Sequence, residues 1–343
     1  MHTFLENINP RSQNDCATEQ YSGSEHVELK GRLSLQELGA NECSDIWGYE
    51  TEIHKYAIIG CRGGQGTIKF VRLEDMHIVG MFSSVQSIWY DIRTYSHYAF
   101  AISESSYGSP SLPLLVYDLS NIDNDAIVEV PHNSFETESK RNTHNVMIDT
   151  TRGYLYRCNA DSNGAAYVYD LNEALQSFDW TLKYTISGEC HDITSKKIGD
   201  RFYLFISAGY NRHVKIYDAT NILNIQFLSD VTYPFASYTH QLDIDSTNNF
   251  MYVNDELYRS SYGSTLTSKV FVFDISNIKN PKYLTEYTNG VIATTHNMFT
   301  IGNFMYQANY VSGIRIYNIT NRENIQEIAH YDTYIRQTSS AFF

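Results

Sequence analysis

The sequence contains few basic residues and no long apolar segment. Lys and Arg together number 25 against 39 Asp and Glu, which gives a formal net charge of −14. Because a protein that binds nucleic acid needs basic side chains to meet the phosphates, this charge argues against nucleic acid as a partner. No apolar run is long enough to cross a bilayer, and residues 1–7 lack the basic and apolar regions of a signal peptide. We therefore expect no membrane-spanning segment, and either an intracellular protein or a chain that has lost its leader.

The sequence also lacks the motifs of common catalytic sites. It contains no HExxH, no EF-hand loop and no GxSxG, and no Gly-Lys-Ser/Thr follows its glycine-rich segment 60–66 to make a phosphate-binding loop. The five cysteines are odd in number and form no CxxC pair. This pattern favours free thiols in a reducing compartment over a disulfide framework.

What the sequence does contain is a motif repeated six times. Each repeat has a short strand-forming segment with an aromatic residue, and successive aromatics are 44 to 56 residues apart. These aromatics are Phe70, Tyr117, Tyr169, Tyr217, Phe273 and Tyr317. A second strand led by an aromatic precedes each of them, and a fourth strand is visible in several repeats. A repeat of this length that is rich in strand-forming residues is typical of β-propeller blades.

The repeats therefore predict an all-β fold, a six-bladed β-propeller of four-stranded antiparallel blades. We expect a flexible polar arm at 1–25, a single propeller domain at 26–334 with blades at about 44–86, 87–141, 142–188, 189–236, 237–292 and 293–334, and a tail at 335–343. Segments 26–35 and 325–334 both resemble outermost strands. With six blades, one of these segments pairs as an extra edge strand or holds the other terminus, and the sequence leaves that choice open.

The first segment of each repeat carries a polar residue at an equivalent position, and in four repeats a histidine precedes it. Because the first strand of a propeller blade lies beside the central channel, we expect these side chains to form a polar ring. The ring comprises Asp45, Asp91, Asn145, Asp192, Gln241 and Asn297, with the histidines His144, His191, His240 and His296. Two adjacent carboxylates that follow a second strand, Asp255 and Glu256, are expected near the same face and are the best candidates to exceed ordinary turn chemistry.

Two interpretations of this ring remain open. In the first, each Asp, Asn or Gln bonds the backbone of a neighbouring blade while each His packs between blades. In the second, the side chains converge on a ligand or a cation. Imidazole and carboxylate groups suit zinc, iron or manganese, whereas carboxylate and amide oxygens suit calcium. The cofactor expected from the second interpretation is a divalent cation, calcium or a transition metal, with His144, His191, His240 and His296 as candidate metal ligands.

Several stretches of the chain occur in the order found in a known family. They include 44–49, 87–92, 143–145, 239–241, 254–257 and 309–315, within about residues 26–334. They resemble the LVIVD-repeat proteins, and among these the choice-of-anchor B type of surface-associated protein. The resemblance implies a β-propeller on secreted or cell-surface proteins with varied anchoring ends, and it implies no established reaction. This chain shows neither leader nor anchor, which leaves the compartment open.

Three functions follow as hypotheses. The first is a non-catalytic scaffold that binds a protein or glycan partner through one face of the propeller and its long loop 254–269. The alternative is a metal-dependent hydrolase or lactonase, by analogy with lactonase propellers that hold a metal, in which the four histidines act as ligands or bases. The third is a structural component of a larger assembly. We favour the first because no complete catalytic constellation is present in the sequence.

Overall fold

A computed structural model describes residues 24–64, 67–84, 86–87, 89–104, 114–131, 143–159, 164–177, 180–267, 269–288 and 290–332. Most of the predicted polar arm at 1–25 and the whole predicted tail at 335–343 lie outside these residues.

The predicted fold is confirmed, because the described strands form six antiparallel sheets in chain order, a six-bladed β-propeller. An added strand β1 is Ser24–Glu25. Blade 1 consists of β2 (Glu42–Glu50), β3 (Lys55–Arg62), β4 (Ile68–Arg72) and β5 (His77–Phe82). Blade 2 consists of β6 (Tyr90–Tyr95), β7 (Tyr98–Ser103), β8 (Leu115–Asn121) and β9 (Ala126–Glu129). Blade 3 consists of β10 (Asn145–Asp149), β11 (Tyr154–Cys158), β12 (Ala166–Asp170) and β13 (Leu182–Ile186).

Blade 4 consists of β14 (Asp192–Ile198), β15 (Arg201–Ser207), β16 (Val214–Asp218) and β17 (Gln226–Val231). Blade 5 consists of β18 (Thr239–Ile244), β19 (Phe250–Asp255), β20 (Val270–Asp274) and β21 (Lys282–Tyr287). Blade 6 consists of β22 (Met298–Ile301), β23 (Phe304–Ala308), β24 (Ile314–Asn318) and β25 (Gln326–Tyr331). The helices in the described residues are short, namely α1 (Leu171–Ser177), α2 (Tyr258–Tyr262) and single 3₁₀ turns at Ile122–Asn124 and Tyr310–Ser312. No helix among the described residues is both long and apolar enough to span a membrane.

The described chain divides into two compact units. The N-terminal unit contains blades 1 to 3 within Leu29–Gly188, and the C-terminal unit contains β1 with blades 4 to 6 from Glu189 onward. In the N-terminal unit, the core between blades 1 and 2 includes the edge-to-face pair Phe70 and Tyr117, whose ring centroids are 5.3 Å apart. In the C-terminal unit, the core between blades 4 and 5 includes Tyr233 stacked on Phe271 at 4.1 Å. Aromatic pairs of this kind add to the stabilisation from buried area.

Carboxylates at or near the ends of the third strands make turns. Oδ1 of Asp118, Asp218 and Asp274 accepts the backbone N–H two residues further on, at 2.8, 3.0 and 2.8 Å. This is an Asx turn, which closes the chain toward the fourth strand. Asn318 does the same with Thr320 at 2.9 Å. Asn318 therefore serves the same turn as the aspartates at the equivalent position of other repeats.

The first repeat differs from its predicted register by one residue. Val71, and not Phe70, lies opposite Ala57, just as Tyr117 lies opposite Ala99 in the next blade. Phe70 therefore occupies the neighbouring position of its strand, where its ring turns to the opposite face of the sheet. The local sequence at 68–71 could not reveal this shift, because all four positions, including Lys69, are buried.

The prediction that 26–35 forms a strand is wrong. The added strand is β1, which pairs with the outer strand of blade 6 through Ser24 opposite Tyr331 and Glu25 opposite His330. His26 has a positive φ of 58°, which ends the extended backbone directly after Glu25. Residues 27–34 are irregular, and their alternating apolar residues do not belong to a sheet.

The expectation of free thiols is wrong, because Cys43, Cys61, Cys158 and Cys190 each form a disulfide. Cys43 and Cys61 form a disulfide, and they lie directly opposite each other on β2 and β3 with a Cα–Cα distance of 3.9 Å. The spacing of 18 residues carries no recognisable disulfide motif. Only the pairing of the two strands brings the two sulfur atoms together.

Candidate functional site

Strand pairing places the predicted ring residues at one register of their blades. In blades 1 to 4, the ring residue on the first strand lies opposite an equivalent residue of the second strand. That residue is always the fourth after the aromatic that leads the second strand. The four pairs are Asp45–Gly60, Asp91–Ile102, Asn145–Cys158 and Asp192–Ser207. In blade 5, a β-bulge places two residues of the first strand, His240 and Gln241, opposite the single residue Asn254 of the second strand. In blade 6, the carbonyl of Asn297 accepts the N–H of Ala308. All six positions are therefore equivalent within their own blades.

In the N-terminal unit, two ring carboxylates bond the backbone of the next blade. Each first strand ends its sheet, so the backbone groups on one of its sides face no strand of the same blade. Oδ2 of Asp45 accepts the N–H of Ile92 at 2.7 Å, and Oδ2 of Asp91 accepts the N–H of Val146 at 2.8 Å. Both carboxylates thus satisfy buried donors that their own sheets leave unpaired.

In the C-terminal unit, the side chain of Gln241 makes two hydrogen bonds to the backbone of the next blade. Its Nε2 donates to the carbonyl of Met298 at 2.9 Å, and its Oε1 accepts the N–H of Met298 at 2.8 Å. Gln241 and Met298 are both buried. For Asp45, Asp91 and Gln241, the interblade hydrogen bonds agree with the first interpretation of the ring, that of packing.

The two carboxylates of blades 1 and 2 share one guanidinium group. Arg93 donates to Oδ1 of Asp91 and lies 3.9 Å from Oδ2 of Asp45, while its guanidinium carbon stands 4.2 Å over the ring of Trp47. Burial, and then the charge of Asp91, raise the pKa of Asp45 to about 7, against the opposing effect of Arg93. Asp45 therefore gains or loses its charge close to neutral pH.

His144 is placed by a carboxylate of the preceding blade. Its Nδ1 lies 2.7 Å from Oε2 of Glu104, and Oε1 of Glu104 accepts a hydrogen bond from Asn159 at 3.2 Å. The adjacent ring residue Asn145 is buried at the start of β10. The N-terminal unit thus gives His144 one carboxylate neighbour, and no group of three metal-ligand side chains occurs in its described residues.

In the C-terminal unit, three histidines form a row of overlapping rings. Nδ1 of His191 lies 2.9 Å from the carbonyl oxygen of His240, and Nδ1 of His240 lies 3.1 Å from the carbonyl oxygen of His296. The ring centroids are 4.5 Å apart for the first pair and 4.3 Å for the second. Because a carbonyl oxygen can only accept, Nδ1 of His191 and of His240 carries the proton. In their neutral forms, the lone pair of both rings is therefore on Nε2.

Glu256 lies against two of these rings. Its Oε2 is 3.5 Å from Nε2 of His240, and its Oε1 is 3.9 Å from Nε2 of His296. The hydroxyl of Tyr310 donates to Oε1 of Glu256 at 2.6 Å. Burial and the Glu256 charge raise the pKa of Tyr310, which keeps its phenol neutral. The ligand atoms of His240, Glu256 and His296 all lie within 4.8 Å of one another, a group able to hold a metal ion.

Asp255 has a different surrounding from its neighbour Glu256. It is buried and accepts the backbone N–H groups of Ser237 and Tyr238 at 2.6 and 3.0 Å, together with the hydroxyl of Tyr233 at 3.0 Å. Burial raises its pKa even though these donors lower it. Asp255 thus anchors the segment that leads into β18, while Glu256 faces the histidines.

A chain of side-chain amides supports the histidine row. Asn254 donates to the carbonyl of His296 at 2.9 Å, Gln307 donates to Asn254 at 3.0 Å, and Asn309 donates to Gln307 at 3.1 Å. Gln307 was not identified from the sequence, although a polar residue at a buried position of an alternating strand is a recognisable signal. Asp192 is buried at the start of β14, next to His191.

Exposed aromatic side chains lie on loops at one end of blades 4 and 5. Tyr210 follows β15, Phe235 precedes β18, and Tyr262 belongs to α2 after β19; their exposed fractions are 69, 67 and 45%. In an antiparallel blade, the loop into the first strand and the loop after the second strand lie at the same end of the sheet. Phe235 has a positive φ of 57°, a strained conformation for an aromatic residue, and its ring lies 5.8 Å from that of Tyr262. We call Tyr210, Phe235 and Tyr262 the aromatic face.

The aromatic face continues into the histidine row. The ring of Tyr210 lies 4.6 Å from that of Tyr238, and Tyr238 lies 5.0 Å from His191. The predicted loop 254–269 contributes to this region through Glu256 and through α2. Of the four predicted metal ligands, His240 and His296 come together with Glu256. The ring of His191 lies beside that of His240, tilted by 49°.

Comparison with known proteins supports the fold. Neither a protein-family model nor a curated protein sequence matches the chain. A candidate 6-phosphogluconolactonase from Bacteroides fragilis is similar in structure, with a TM-score of 0.60, 9% identity, and coverage of 84% of both chains. One from Bacteroides uniformis has a TM-score of 0.58 and 15% identity over 81% of this chain and 83% of its own.

A protein from Lactobacillus plantarum is also similar, with a TM-score of 0.56 and 12% identity over 85% of this chain and 82% of its own. At these identities, the similarity shows the fold alone.

Proposed function

We propose that this protein is a non-catalytic scaffold that binds a protein or glycan partner through the aromatic face. The observation that carries the proposal is the exposure of Tyr210, Phe235 and Tyr262 at one end of neighbouring blades. Aromatic side chains dominate the binding energy of interfaces because they bury large areas at a low cost in conformational entropy. The strained backbone at Phe235, which presents a ring to solvent, supports a binding role for this segment.

The resemblance to the LVIVD-repeat and choice-of-anchor B proteins fits this proposal, and we extend it to a secreted or cell-surface location. The disulfide between Cys43 and Cys61 supports that location, because disulfides persist in oxidising compartments and are rare in the cytosol. Peptide mapping of the natural protein without reductant tests the location. Recovery of the linked peptides supports it, and recovery of both thiols alkylated contradicts it.

The binding proposal is tested with a variant of the aromatic face, Tyr210→Ala/Phe235→Ala/Tyr262→Ala. Purified protein is applied to a glycan array and, in parallel, cross-linked to intact cells of the source organism and analysed by quantitative mass spectrometry. We expect a small set of partners or glycans that the variant loses. Leu223→Ala is the control, because Leu223 is equally exposed but lies in the loop before the fourth strand of blade 4, at the other end of the sheet. Equal capture by the wild type and the triple variant would contradict the proposal.

The second candidate function is a metal-dependent hydrolase or lactonase. Its support is the cluster of His240, Glu256 and His296, together with two structural neighbours described as candidate 6-phosphogluconolactonases. The test is hydrolysis of 6-phosphogluconolactone and simple δ-lactones by metal-loaded protein. Turnover that disappears in His296→Gln supports this function, and rates equal to the buffer background exclude it for these substrates.

A further inference from the structure

The cluster of His240, Glu256 and His296 has ligand atoms at nearly metal-binding distances. Zinc binds nitrogen and oxygen ligands at about 2.0–2.2 Å, so ligand atoms that share one tetrahedral ion are about 3.3 Å apart. The nitrogen–oxygen distances in the cluster are 3.5 and 3.9 Å, and no pair exceeds 4.8 Å. Shifts of about 1 Å in these side chains would let all three reach the same ion.

The protein orients the imidazole of His240 for such a role. Its Nδ1–H donates to the carbonyl of His296, which leaves the lone pair of the neutral ring on Nε2, the atom that faces Glu256. Histidine ligands of metals are commonly held in this way, by a backbone carbonyl on the other ring nitrogen. The same carbonyl also accepts a hydrogen bond from Asn254 at 2.9 Å, which fixes its direction.

The carboxylate of Glu256 is likewise held by a second residue. Tyr310 donates to its Oε1 at 2.6 Å, and Tyr310 has a positive φ of 41°, which is unusual for an aromatic residue. Strained backbone persists where the surroundings enforce it, and it is concentrated at functional sites. Hydrogen-bonded support of a ligating carboxylate is a regular feature of metal sites.

The charges of the cluster favour a cation. His240 is only 3% exposed, and in its neutral form its Nε2 lone pair faces a carboxylate oxygen 3.5 Å away. Two electron-rich atoms at that distance repel each other unless a proton or a metal ion lies between them. We propose that His240, Glu256 and His296 bind a divalent transition-metal ion, with zinc as the best match.

The ligand set argues for zinc over calcium or magnesium, because those harder ions prefer oxygen ligands throughout. Two imidazoles and one carboxylate are also a known ligand set of zinc sites that keep a fourth position open. Glu256 and His296 are partly exposed, so the open position is accessible to solvent and to a bound partner. The metal site does not depend on the proposed binding face, since it is measured without any partner.

The test is a zinc titration of the intact chain. Protein is stripped with a chelator, exchanged into metal-free buffer and titrated with zinc sulfate by isothermal calorimetry, with cobalt(II) absorption as a second readout of coordination. We expect one ion per chain in the wild type. Glu256→Gln and His296→Gln should each weaken zinc binding about 100-fold or more, because each removes one of three ligands.

The matched control is His213→Gln. His213 also lies beside a carboxylate, with Nδ1 2.6 Å from Oδ1 of Asp230, but this pair is exposed and has no third ligand among the residues that the structure describes. Its zinc affinity should equal that of the wild type. Circular dichroism checks that both ligand variants are folded, and Glu256→Gln decides the result if His296→Gln is not. Absence of zinc binding in the wild type, or equal affinity in wild type and Glu256→Gln, would overturn the proposal.

Discussion

Replacement of Gln241 by Ala should destabilise the protein through the backbone of blade 6. The side chain of Gln241 satisfies both the N–H and the carbonyl of Met298, at 2.8 and 2.9 Å. Met298 is fully buried on a strand that ends its sheet, so no other strand of that blade can take over these bonds. A buried backbone group left without a partner costs roughly 1–3 kcal/mol, and two such groups predict a loss of about 2–6 kcal/mol.

The assay is urea unfolding followed by tryptophan fluorescence and circular dichroism, with the change in free energy of unfolding taken from the midpoint at constant slope. Gln326→Ala is the control, because Gln326 is an exposed residue on the outer strand of blade 6 and its replacement should change the stability by about 0.5 kcal/mol or less. If Gln241→Ala is destabilised no more than Gln326→Ala, the interblade hydrogen bonds do not stabilise the propeller, and the reasoning is refuted.

Three further predictions concern other residues. Burial raises the pKa of Asp45 to about 7, so the protonated form is favoured in the folded state. The stability contributed by this group should be greatest below pH 4 and should fall by up to about 4 kcal/mol as the pH rises from about 4 to about 7, a decline that Asp45→Asn should remove in pH-dependent urea unfolding. Cys43→Ser/Cys61→Ser should lower the free energy of unfolding by about 3 kcal/mol, and an unchanged melting temperature would contradict this. Tyr310→Phe should weaken zinc binding about 10- to 100-fold without unfolding the protein, whereas unchanged affinity would show that the phenol does not support Glu256.

Much of the fold was predictable because each blade repeats the same physical requirements. Aromatic residues at the start of second strands, as at Tyr203, and turn-forming carboxylates at the end of third strands, as at Asp218, mark one blade after another. Buried sheets need apolar residues on both faces, and an Asx turn is a favoured way to reverse the chain after a strand, so both features appear in the sequence. The polar residues at three ring positions, Asp45, Asp91 and Gln241, follow from the unpaired side of a first strand.

The details that the sequence did not reveal depend on contacts between distant residues or on single-residue shifts. The pairing of Cys43 with Cys61 depends on the register of two strands, and the shift of Phe70 by one residue is visible only in the pairing of β3 with β4. The difference between Asp255 and Glu256 has the same origin, because successive residues at the end of a strand point in opposite directions. Adjacent carboxylates of similar appearance in the sequence therefore hold the segment before β18 in one case and face a histidine cluster in the other.

The interblade hydrogen bonds of Asp45, Asp91 and Gln241 have a consequence for how such a protein can evolve. In each case, a repeat supplies the side chain and its successor supplies only main-chain atoms, which every amino acid possesses. A duplicated or transplanted repeat therefore carries the side chain that bonds it to the next repeat. It requires no particular side chain in the repeat that it joins. Sequences of successive repeats can then diverge freely at most positions while the means of attachment is inherited intact.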